Sequence, residues 1–237
     1  MSDKNLISNP TRRIALCIYI DNNSSMTEER MDSINKYLSL LYKKISSDEL
    51  LAYSFDLCVV TGGETHIRCI SQFSNVIDRK IPLVLATEGK SLICEGVSFS
   101  LDLISERLKE YKSCGVDFLG PKLLIISDGC CEYDTSLFSI VKSKMAKLVS
   151  SAGMKVLSVI PRKVPDSHLR EDFLTAISPL ISWNIVLDDS VCKSDTSQTY
   201  MFKEFFEWVS KSVSLLSHSV PGERGRLDSV DEWSSLT

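Results

Sequence analysis

Asp21, Asn23 and Ser25 stand at alternate positions in the stretch IYIDNNSSM, residues 18–26, where an apolar run passes directly into a carboxylate, two amides and two hydroxyls. Three such oxygens, at a strand end and in the turn leading to a helix, can converge on one point. A second apolar run, KLLIISDG, delivers Asp128 to another strand end, with Gly129 freeing the turn behind it. Carboxylates, an amide oxygen and hydroxyls make a hard, all-oxygen ligand set, which favours Mg2+, Mn2+ or Ca2+ over zinc or copper. The softer groups in reach are the adjacent Cys130 and Cys131, for which a redox or soft-metal role and simple loop packing both stand. On these stretches alone a second job for Asp21 and Ser25 also stays open, that of capping a helix expected from near Thr27.

Other chemistries find less support. A strand-end aspartate also opens phosphoryl-transfer sites of the aspartate-nucleophile kind, but those need a second aspartate two residues on, and this chain has Asn23 there. No phosphate-binding glycine loop, GxSxG elbow or histidine-rich metal motif is present. His66, His168 and His218 are scattered, and Arg170, Glu171 and Asp172 beside His168 read as a solvated face. The aromatics Phe202, Phe205, Phe206 and Trp208 read as core, with part of that surface available to a partner.

The elements that must position the oxygens follow from periodicity. Residues 12–20 have strand length, and Met31, Ile34, Leu38, Leu41 and Ile45 have helical spacing. YSFDLCVV, residues 53–60, and HIRCI, residues 66–70, read as a hairpin turning at Gly62-Gly63. An irregular connection follows, then a helix over 92–108 whose end, Glu106 to Glu110, is charged, with Gly115 and Pro121 bracketing its exit. Beyond KLLIISDG the alternation repeats: helix 136–150, strand MKVLSVI, helix near 167–177, strand WNIVL and a long helix over 198–217. Strands alternating with helices imply a parallel sheet covered on both faces, and ligands of such sheets bind outside the carboxyl ends of the strands.

Composition sets the bounds. A chain of 237 residues with 43% hydrophobic content can bury a substantial core. With 27 basic against 31 acidic residues, the balance does not point to nucleic acid. No apolar run approaches a membrane span, and the polar start MSDKNLISNPTRR lacks the apolar core of a signal peptide. Eight cysteines without a CxxC pair, two of them (Cys17 and Cys58) inside apolar runs, read mostly as small buried hydrophobes. A cytoplasmic location is the expectation.

Asp21-Asn22-Asn23-Ser24-Ser25-Met26 resembles the D-x-S-x-S-M opening of von Willebrand factor type A (vWA) domains, and Ile125-Ile126-Ser127-Asp128-Gly129 resembles their later strand ending in (S/T)-D-G. Gly89-Lys90-Ser91-Leu92 stands where that family carries a Gly-x-Thr segment before a helix. The resemblance implies a three-layer Rossmann-like fold, with a mostly parallel sheet, one antiparallel edge strand and helices on both faces. It implies a domain over residues 12–219, with an N-terminal extension 1–11 and a tail 220–237. It also implies a metal-ion-dependent adhesion site with Asp21, Asn23, Ser25, Ser91 and Asp128 as ligands, some through water. Asn23 replaces a serine of the family pattern and Ser91 a threonine; both keep an oxygen donor.

The segment from Leu101 to Gly129 and the ending FKEFFEWVSKSVSLLSHSVPGE are similar to the cytoplasmic bacterial TerY-type group. That group is associated with tellurite-resistance, stress and phage-defence gene clusters, often beside a protein kinase and a metal-dependent protein phosphatase. The implied function is binding without catalysis: a Mg2+, Mn2+ or Ca2+ ion bridges to a partner's carboxylate or phosphate. A metal-independent scaffold with a degraded site, or a metal-dependent phosphoryl-transfer enzyme, are the alternatives.

Overall fold

The computed structural model describes residues 11–63, 66–77, 80–127, 135–161 and 183–187, together with positions 177 and 180. Strand β1 (Ile14–Asp21) carries no charge before its last residue, and all eight of its positions are buried. Burial on both faces is what a central parallel strand requires. Its side chains alternate between two cores: Ile14, Leu16, Ile18 and Ile20 enter one apolar cluster, Ala15, Cys17 and Tyr19 the other.

Each cluster has its own helices. Helix α1 (Glu28–Ser46) sends Met31, Ile34, Leu38, Leu41 and Ile45 into the first, as their spacing predicts. Each such side chain contributes about 1.5–3 kcal/mol by leaving water. The short α2 (Glu49–Ser54) adds Leu51 to the same side. Helices α3 (Ile93–Ser113) and α4 (Thr135–Ala152) cover the opposite face, with Val97, Leu101 and Ile104 from one and Val141, Met145 and Leu148 from the other.

The sheet between them runs β3 (His66–Asn75), β2 (Phe55–Gly63), β1, β4 (Lys122–Ile126), β5 (Lys155–Pro161), β6 (Trp183–Leu187). Among the described residues only the β2–β3 pair is antiparallel. This is the three-layer, mostly parallel architecture with one antiparallel edge strand that the sequence implied.

Local differences have local causes. Gly62 and Gly63 do not form the expected turn; they remain in β2, opposite Ile67 and His66. Tyr53 and Ser54 belong to α2 rather than to a strand, because Asp48 caps that helix by accepting from Leu51 N at 3.1 Å. α3 runs past Leu108 to Ser113 and stops at Gly115, whose φ of 67° closes a Schellman-type end: Val116 N donates to Tyr111 O at 2.9 Å and Gly115 N to Lys112 O at 3.2 Å. The end read as a charged face is partly interior, since Arg107 is buried. Cys17 and Cys58 are buried as expected, and hydrogen bonding to Cys17 with burial pushes the Cys58 thiol far up, so it stays protonated. The helices expected near 167–177 (apart from helical Ile177) and over 198–217, together with His168, Cys130, Cys131 and the C-terminal tail, lie outside the described residues.

Arg107 joins a buried polar cluster at the amino end of the sheet. Asp56 Oδ2 accepts from Arg107 Nε at 3.1 Å, Arg107 Nη2 at 2.7 Å and Tyr111 Oη at 2.6 Å, while Arg13 Nη1 lies 3.5 Å from Asp56 Oδ1. Burial, then the Asp56 charge, pushes the Tyr111 hydroxyl well above its usual pKa.

Candidate metal centre

The carboxyl end of β1 delivers Asp21, wholly buried, into a turn whose backbone is fastened on two sides. Asn22 N donates to Gly62 O of β2 at 3.3 Å. On the other side Asn22 O accepts from Thr87 N at 2.9 Å and Thr87 Oγ1 at 2.6 Å, and Ser24 N donates to Gly89 O at 3.2 Å. The stretch 87–89, part of the connection 73–90 that sequence periodicity reads only as irregular, is therefore the second wall of the loop.

Four of the five expected ligand positions are described, and they fall in two bonded pairs. Ser91 Oγ donates to Asp21 Oδ2 at 2.6 Å, 70 residues apart in sequence. Asn23 is buried, and its Oδ1 accepts from Ser25 N at 2.8 Å and also from Ser25 Oγ. A backbone N–H can only donate, so the atom facing it is the amide oxygen and Asn23 presents its NH2 group elsewhere. That nitrogen is buried without a hydrogen-bond partner among the described residues. Asp128 lies outside the described residues.

Sequence reasoning gave Ser127 no role. Its hydroxyl donates to the same Asp21 Oδ2 at 2.9 Å, so one carboxylate oxygen is gripped by hydroxyls from two further segments. The signal available was the serine preceding Asp128 at the end of β4, since β4 pairs with β1 in parallel register up to Ile20–Ile126.

The grip depends on a close approach. Gly96, in the first turn of α3, lies against the Tyr19 ring, and a Cβ there would sit 2.0 Å from a ring carbon. The missing side chain lets α3, and Ser91 just before it, settle against β1 two residues from Asp21.

Helix capping does not account for these oxygens. The N-cap of α1 is Thr27, whose side chain accepts from Arg30 N at 3.4 Å, so the task is not given to Asp21 or Ser25. What remains is one carboxylate, an amide and three hydroxyls at a strand end. In kind this donor set fits a hard divalent cation with water completing its shell, and the buried Asn23 amide fits an added oxygen. Among the described residues no group of three or more His, Cys, Asp or Glu side chains forms a metal cluster.

No protein-family model matches the sequence, and no curated protein matches it. Solved structures do. The vWF domain of the type V pili tip protein Mfa5 from Porphyromonas gingivalis superposes with a TM-score of 0.57 at 9% identity, over 86% of this chain and 97% of that one. Proximal thread matrix protein 1 of the mussel byssus gives 0.52 at 11% identity, over 87% of this chain and 49% of that one. The manganese-loaded Plasmodium vivax TRAP protein gives 0.50 at 12% identity, over 76% and 70%. At such identities a likeness speaks for the fold, and the fold this chain shares with them is that of a von Willebrand factor A-type domain.

Proposed function

We propose that this chain is a protein-binding module that engages its partner through a bound divalent cation. The observation that carries the reading is the buried Asp21 carboxylate, held by the Ser91 and Ser127 hydroxyls at the carboxyl end of the central strand. Support also comes from the vWA-type fold and from a solved structure of that fold being manganese-loaded.

Asp21, Ser25, Ser91 and Asp128 would hold Mg2+, or Mn2+ or Ca2+, directly or through water. Asn23, whose oxygen already serves Ser25, would act through water. The cation supplies a positive charge with a coordination place for a carboxylate or phosphate from the partner. Ser91 and Ser127 fix which Asp21 oxygen is engaged from within, and the turn 22–25 holds the loop against Thr87 and Gly89. Binding without bond-breaking is the function. The likeness of the closing segment to the TerY-type group supports a cytoplasmic stress, tellurite-resistance or phage-defence setting, with a protein kinase or metal-dependent phosphatase as partner. Among the described residues no helix is long and apolar enough to cross a membrane.

Calorimetric titration with Mg2+ and Mn2+ tests the reading. The native protein should bind one ion per chain and Asp21→Asn none; equal heats for both, or none for either, would defeat it. The hydrogen bonds that occupy the Asn23 oxygen favour, as second reading, a metal-independent scaffold. Partner binding that survives both chelation and Asp21→Ala would establish that instead.

A further inference from the structure

Cys69 departs from the reading of the cysteines as small buried hydrophobes. It stands near the middle of β3, half-buried, at the edge of the sheet, where β3 pairs with β2 alone among the described strands. Its Sγ lies 3.7 Å from the Sγ of Cys58 in β2, 11 residues away in sequence. Cys58 is wholly buried and meets a second thiol in β1, where its register partner Cys17 hydrogen-bonds to it. Three thiols therefore cross three neighbouring strands, and Cys69 is the member of the row that solvent reaches.

The Cys58–Cys69 pair is placed for bond formation. A disulfide needs its two sulfurs to close to about 2 Å. The β2–β3 ladder is irregular where they meet: one register shift spans Cys58, between Leu57 and Val59, and the next ends at Val60, the register partner of Cys69. Pairing is locally disrupted at such shifts, so the edge strand is the one that can close the gap.

The two sulfurs also differ in reactivity. Hydrogen bonding to Cys17 and burial push the Cys58 thiol far up, so it stays protonated and is not the first to meet an oxidant. Cys69 Sγ is half-buried only, and lies 3.4 Å from Ser71 O and in contact with Cys58. An accessible thiol poised beside a buried one divides the roles of attacking and resolving sulfur. Among the described residues the thiols form no metal cluster, so redox chemistry is what the pair offers.

We propose that Cys69 and Cys58 form a peroxide-oxidised thiol pair, in which Cys69 reacts first and Cys58 resolves it to a disulfide between β3 and β2. The oxidant is a hydroperoxide, in the simplest case hydrogen peroxide. Cys69 Sγ attacks one peroxide oxygen, the O–O bond breaks, and the thiol proton leaves with the other oxygen as water, so Cys69 becomes a sulfenic acid. Cys58 Sγ then attacks the sulfenyl sulfur, the S–O bond breaks, and the Cys58 proton leaves with the hydroxyl as a second water. Two thiols lose two electrons and one peroxide is reduced to two waters. The product ties the edge strand covalently to β2, and it does not rest on the cation reading above.

The test is treatment of the full chain with hydrogen peroxide, followed by intact mass and by peptide mapping without reduction. The native protein should lose two hydrogens and yield a linked peptide joining Cys58 to Cys69. Its thermal midpoint should rise by roughly 5 °C, and dithiothreitol should reverse both changes. Cys69→Ser, whose midpoint in reductant shows that it folds, should give neither the link nor the rise. Cys58→Ala should instead hold Cys69 as a sulfenic acid that dimedone captures. A link between other cysteines, a Cys69 that stays reduced while Cys114 is oxidised, or a rise in midpoint that Cys69→Ser retains would overturn the proposal. So would a Cys69 sulfenic acid in the native protein that never passes to Cys58.

Discussion

Two buried aspartates on neighbouring strands, about 20 Å apart along the sheet, meet opposite treatment. At the amino end Asp56 is met by Arg107 through two nitrogens, by Tyr111 and by Arg13. At the carboxyl end Asp21 is met by the hydroxyls of Ser91 and Ser127. Guanidiniums bring opposite charge to a buried carboxylate as well as orienting it, whereas hydroxyls orient it as neutral donors. The difference separates a cluster held by ion pairs from a cluster of hard oxygen donors, the end at which the proposed cation would sit. The amino-end cluster even carries positive charge to spare, which Arg107 passes on to the half-exposed Glu110 at 2.8 Å.

The largest expected effect breaks the ion-paired end. Asp56→Ala removes the carboxylate that two buried guanidiniums share and should cost about 3–5 kcal/mol in urea unfolding. Its loss should be the same with Mg2+ or chelator, whereas a cation-dependent loss would erase the contrast between the two ends. Next, Gly96→Ala drives a Cβ into the Tyr19 ring and should cost about 1–3 kcal/mol by overpacking. Because that ring lies between α3 and β1, cation affinity measured calorimetrically should fall with it.

Ser127→Ala sharpens the comparison from the carboxyl end. Removing a hydroxyl that orients Asp21 should weaken Mg2+ binding roughly 10- to 100-fold, and an unchanged affinity would show that Ser127 only packs. The smallest effect is electrostatic and lies apart from both aspartates. Lys122, at the start of β4, has its pKa lowered to about 8 by burial and by Lys155 beside it in register. Its folded pKa lies below the usual 10.5, so the unfolded chain binds more protons between those values and stability rises with pH across that window. Lys122→Met should therefore raise the urea midpoint at pH 7, and the gain should shrink by pH 9.5. A gain independent of pH would assign the effect to packing.

The carboxyl end was the more legible in sequence, because its chemistry is local. Asp21, Asn23 and Ser25 sit within five residues, and the apolar run before them announces the strand that carries them. Ser91 entered through a resemblance and is joined to Asp21 by tertiary packing. Ser127 was passed over because its neighbour Asp128 drew the assignment. The amino-end cluster gave no such signal: Asp56 lies 43 residues from Arg13 and 51 from Arg107, and each charge reads as surface until α3 packs on the sheet. Gly62-Gly63 looked like a turn because glycine pairs usually are, yet both positions are buried at the β2 end against the loop that follows Asp21.

Thermal unfolding of the native chain and Asp21→Ala, in chelator and then in Mg2+, Mn2+ and Ca2+, tests the central claim most directly. A cation that binds the folded state alone must raise the midpoint in a saturable way. The account predicts that rise with at least one ion in the native chain and its absence in Asp21→Ala. No rise with any ion, or an equal rise in both proteins, would contradict it.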